Sequence, residues 1–113
     1  NAPAYSLSFE SREAVSTNTA DTLADGLACR VPDPKALAII LAGAERVVTV
    51  SESAIVAAMG VLFTDTHNLS EGAGAAPLAA LLPAREFHSG KKAGIVLSGG
   101  NADRALFSRV LDP

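Results

Sequence analysis

The chain has no tryptophan, a single tyrosine and four phenylalanines among its 113 residues. So little aromatic surface leaves almost nothing for bases to stack on. A net charge of −3 also lacks the basic surplus of a nucleic-acid binder, so no nucleic-acid partner is expected. The lone cysteine, Cys29, excludes an internal disulfide and points to a reducing compartment, so the expected location is cytoplasmic. Together with two histidines at distant positions, it matches no zinc pattern, and no metal site is expected. No apolar run approaches the ~20 residues of a membrane span, so no membrane partner is expected. Asn1-Ala2-Pro3 has neither the charged nor the apolar region of a signal peptide. What is present is 49% hydrophobic and 19% charged, the balance of a folded chain of at most one domain.

The organising stretch is Ile95-Val96-Leu97 running into Ser98-Gly99-Gly100-Asn101. The apolar run suits a short strand buried on both faces. Two glycines then permit a sharp turn and close approach by another molecule, and residues 102–111 read as a helix. Ligands gather where a strand's carboxyl end meets such a loop. Ser98 stands there with a hydroxyl able to donate and accept. The same residues also read as a plain strand-to-helix turn.

Earlier in the chain, Tyr5, Leu7 and Phe9 alternate with serines as in a strand, with a loop or a helix edge as the other readings. Residues 11–20 read as a loop. Leu23 and Leu27 share a helical face that Gly26 interrupts, either as a helix end or for a close approach to a ligand. Residues 35–41 form a helix stopped by Gly43. Residues 46–50 are rich in β-formers. Ser51 then caps a helix, with Glu52 in its first turn. Ile55, Met59, Leu62 and Phe63 mark its buried face, and His67 lies at its end as a cap, a surface residue or an acid–base group. Ser70-Glu71-Gly72-Ala73-Gly74-Ala75-Ala76 allows close backbone approach, and Glu71 there would orient a ligand or hold a backbone amide. Leu78, Leu81 and Leu82 give a helical face, with Pro77 in its first turn and Pro83 ending it. Residues 88–92 read as a polar surface turn. The order of elements is an α/β pattern.

Four motifs now align. Thr22-Leu23-Ala24-Asp25-Gly26-Leu27-Ala28, Val47-Val48-Thr49-Val50-Ser51-Glu52, Glu71-Gly72-Ala73-Gly74-Ala75-Ala76 and Val96-Leu97-Ser98-Gly99-Gly100-Asn101 resemble, in order and spacing, the C-terminal part of threonine/serine dehydratases and serine racemases. These are tryptophan-synthase-β-like, fold-type-II enzymes that use pyridoxal 5'-phosphate. The resemblance implies an α/β fold and an ammonia-lyase that dehydrates and deaminates threonine- or serine-type hydroxy amino acids to 2-oxo acids. It assigns Ser98 to the pyridine nitrogen of the cofactor, with Gly99 and Glu71 beside it. Asp25 and Gly26 fall on the substrate side. Cys29 stands where some relatives face the substrate.

The family's Schiff-base lysine lies in a Ser-x-Lys-x-Arg-Gly-like motif, and none of Lys35, Lys91 and Lys92 sits in one. Residues 1–113 are therefore expected to be a single partial domain, inactive alone, whose partners are the remainder of the catalytic chain, the hydroxy amino acid and further copies in a homo-oligomer. Ala4 stands where some relatives place a metal-binding aspartate. The competing expectation is a non-catalytic α/β module that binds a small anion or a protein partner at Ser98-Gly99-Gly100.

Overall fold

The computed structural model describes residues 1–111. Every regular element among them is helical: α1 (Ala4–Ser11), α2 (Pro34–Gly43), α3 (Glu52–Thr66), α4 (Gly72–Leu81) and α5 (Arg104–Leu111), with 3-10 turns at Asp25–Leu27 and Leu82–Ala84. None is long and apolar enough to cross a membrane. The chain divides into two compact units, one of residues 1–22 and 27–49, the other of residues 23–26 and 50–111.

In the first unit α1 packs on α2. The alternation of Tyr5, Leu7 and Phe9 suggested a strand, but residues 4–11 are helical. The buried pair is Ala4 and Ser8, both 0% exposed and four apart. Two small residues at helical spacing set the face, and the alternating large ones lie at its edges. Ser8 Oγ donates to the Ala4 carbonyl at 2.6 Å and accepts the Val15 N–H at 2.9 Å, which folds the following loop onto the helix. Asp33 caps α2 by accepting from the Lys35 and Ala36 N–H groups, and Pro34 opens the helix with no N–H to satisfy.

The second unit is built on α3, which contacts both α4 and α5. Ser51 caps it by accepting the Ala54 N–H at 3.1 Å. The expected face is buried at Ile55, Met59 and Leu62, while Phe63 remains 40% exposed with its ring edge-on to Phe107 at 5.2 Å. His67 ends α3 in the left-handed conformation (φ 56°), its N–H bonded to the Leu62 and Phe63 carbonyls. Helix α4 starts five residues before Pro77, so that proline lies inside it and not in its first turn. Pro77 has no N–H to give the Ala73 carbonyl. The helix forms there because its small residues pack: Ala75, Ala76 and Ala79 are buried, whereas Leu78 and Leu81 are only partly so and Leu82 is exposed. Pro83 falls in the 3-10 turn that follows.

The strands expected at 46–50 and 95–97 are not formed among the described residues. A strand is defined by its ladder, and neither segment finds one there. Val48 is left 55% exposed and Val96 73% exposed. Val31, Ile39 and Phe87 are exposed as well. Large apolar patches drive association. The 113 residues expressed alone are therefore expected to elute from size exclusion as aggregates and to show no cooperative melt by circular dichroism. A sharply melting monomer would overturn this.

Candidate functional site

The site is assembled in the second unit, where the start of α4 meets the turn at residues 98–100. The Glu71 N–H donates to the Gly99 carbonyl at 3.0 Å. The backbones touch because both sides are glycine. A Cβ on Gly74 would lie 2.8 Å from the Gly99 carbonyl oxygen and 2.8 Å from Ser70 Oγ. Ser70 is fully buried, and its hydroxyl donates to the Glu71 carbonyl at 2.9 Å. Glu71 takes the N-cap position of α4 in an extended conformation, yet its side chain caps nothing. The carboxylate instead lies over Gly99, where a Cβ would come within 2.7 Å of Oε1.

A cleft of about 440 Å³ opens beside this contact. Asp25, Gly26 and Glu71 line it, together with Leu23, Gly72, Asn101, Asp103 and Leu106. Two segments distant in sequence thus deliver three of the expected site residues to one concavity. Gly26 packs against α4, its Cβ direction ending 3.0 Å from the Ala73 methyl. Gly99 reaches the cleft only through Glu71. Ser98 is exposed, and its hydroxyl has no partner among the described residues. Cys29 is half-buried in the first unit with Sγ on the Val31 carbonyl. Ala4, where the resemblance would put a metal-binding aspartate, is buried in α1. No cluster of three or more potential metal ligands occurs among the described residues.

Asp103 and Leu106 were not anticipated in the lining. Their signal is the cap of α5: Asp103 Oδ1 accepts the Leu106 N–H at 2.7 Å, the usual three-residue spacing. With Asp25 and Glu71, Asp103 makes the lining rich in carboxylates, which favour a cationic group over an anion.

Comparison with known proteins follows the same lines. The L-threonine ammonia-lyase of Geobacter sulfurreducens is 40% identical over 111 residues, covering 98% of this chain and 28% of that protein. Threonine deaminase isoform 2 from Solanum lycopersicum superposes with a TM-score of 0.85 at 27% identity, over 98% of this chain and 33% of that one. Serine racemase from Dictyostelium discoideum gives a TM-score of 0.78 at 32% identity, over 90% and 33%. These neighbours share the fold-type-II framework, and the chain spans about a third or less of each. The family model for pyridoxal-phosphate dependent enzymes matches residues 1–99, and the chain belongs to that family.

Proposed function

We propose that these residues are the C-terminal part of a pyridoxal-phosphate-dependent ammonia-lyase that dehydrates and deaminates a threonine- or serine-type hydroxy amino acid to a 2-oxo acid. The observation that carries the reading is the meeting of Asp25, Gly26 and Glu71 at one cleft beside the Ser98-Gly99 turn. The residues present suit the cofactor. The Ser98 hydroxyl is exposed and has no partner among the described residues, the glycine contact lets a flat ring approach the backbone, and the Glu71 carboxylate is not spent on capping. When bound, the cofactor supplies the electron withdrawal that β-elimination needs.

This chain's residues hold and orient. The Ser98 hydroxyl would serve the pyridine nitrogen as a neutral partner, which would not hold that nitrogen protonated as a carboxylate would. Glu71 would stand beside the ring. Asp25 and Gly26 would receive the substrate, and a carboxylate lining suits its ammonium group. The cofactor-bearing lysine comes from the remainder of the catalytic chain, as do the strand partners that residues 46–50 and 95–97 need for an α/β sheet. We infer a cytoplasmic homo-oligomer for the assembled enzyme.

The test is Ser98→Ala in the full-length holoenzyme. The Ser98 side chain lies outside the buried core, so the melting temperature of the cofactor-free protein should hold. Loss of one hydrogen bond worth ~0.5–1.5 kcal/mol should weaken cofactor binding by about 2- to 13-fold. Turnover should fall further, through the altered ring electronics. Unchanged turnover at saturating cofactor and substrate would remove Ser98 from the site.

A further inference from the structure

We propose that Glu52 is a positioning residue that fastens the substrate-side loop, Leu23–Gly26, to the first turn of α3; this rests on the cleft being the substrate site. Ser51 caps α3, and the neighbouring Glu52 points its carboxylate elsewhere. Its Oε2 reaches back 29 positions to accept the Leu23 N–H at 2.9 Å. The next residue, Ala24, is 1% exposed in the core. From the other side α4 backs the loop: a Cβ on Gly72 would lie 2.6 Å from Leu23 Cδ1 and 3.1 Å from its carbonyl oxygen. Held at Leu23, the loop delivers Asp25 and Gly26 to the cleft, which neither Glu52 nor Ser51 lines.

The chemistry favours a carboxylate here. A charged acceptor makes a stronger bond to a backbone N–H than a neutral one, and the first turn of a helix stabilises negative charge. Without the acceptor, a partly buried N–H loses its bond and the loop its tether. Glu52 touches neither substrate nor cofactor, so its influence should fall on substrate binding more than on the chemical step.

The experiment compares wild type, Glu52→Ala, Glu52→Gln and Glu52→Asp in the full-length holoenzyme. Amide exchange over residues 22–27 is read by mass spectrometry, and steady-state constants are measured with threonine and serine. Glu52→Ala should speed exchange and raise KM by about tenfold, with kcat within about twofold. Glu52→Gln keeps an oxygen at the same reach and should restore both to within about threefold. Glu52→Asp keeps the charge but is one methylene too short, so it should follow alanine, and it serves if the alanine variant does not fold. Wild-type exchange in the alanine and aspartate variants would overturn the proposal. So would a glutamine variant as impaired as alanine, or a loss confined to kcat. A wild-type enzyme inert towards both amino acids would instead overturn the lyase reading, and the exchange rates would still decide the role of Glu52.

Discussion

Met59→Ala in the full-length protein is expected to lower stability by ~2–5 kcal/mol, the range for truncating a buried methionine. Met59 is 0% exposed and the largest fully buried side chain among the described residues. It lies on α3, the helix that contacts both α4 and α5. Ala58, Ala75, Ala76 and Ala79 share its core cluster and have no rotamer that reaches further, while Ile55, Leu62 and Val110 in the same cluster relax only part of the way into such a hole. Met59→Leu conserves volume and should cost less than ~1.5 kcal/mol. Urea unfolding of the three proteins checks this. If alanine and leucine behave alike, Met59 does not hold these helices together.

Gly74→Ala should destabilise, although it places a better helix former inside a helix. Propensity alone favours alanine by about 1 kcal/mol. The added methyl would meet the Gly99 carbonyl oxygen at 2.8 Å and the Gly99 nitrogen at 3.3 Å. Both are backbone and cannot rotate away. Overpacking of this kind costs ~1–3 kcal/mol, so the net change is a loss, with the Glu71–Gly99 hydrogen bond as its first casualty. On the proposed contact of Ser98 with the cofactor, cofactor should then dissociate faster, since the displaced turn carries Ser98. Gly43→Ala is the control. Nothing lies within 4 Å of its Cβ position at the end of α2, so melting temperature should stay level or rise. Equal responses at the two glycines would show that close approach at residue 74 is not what selects glycine.

Local chemistry made part of this structure readable. Ser51 followed by an acidic first turn and an apolar face announced α3, and of the readings open for His67 at its end, the left-handed cap is the one the backbone adopts. The residues at 25, 26 and 71 were named through resemblance and line one cleft, whereas Ser98 and Gly99, named the same way, stand outside its lining. Other features left no local trace. Helix α1 hid behind an alternation of large residues because its buried face consists of Ala4 and Ser8. Helix α4 began early because packing of glycine and alanine overrode their weak signals. The strands at 46–50 and 95–97 were inferred from composition, but a ladder depends on a partner that composition does not supply. The bond from Glu52 to Leu23 joins two motifs that were already in view, and no spacing rule connects them.

The small residues between α3 and α4 also govern how this layer responds to temperature. Alanine and glycine have no side-chain rotamers to lose, so ordering them draws only on backbone entropy. Their methyls also remove little apolar area from water, and heat capacity of unfolding scales with that area. The layer at Ala58, Ala75, Ala76 and Ala79 therefore adds less curvature to the stability profile than a leucine-filled core of the same length. The close fit between Gly74 and the turn at Gly99 should therefore change little with temperature, with Ile55, Met59, Leu62 and Val110 contributing most of what curvature remains.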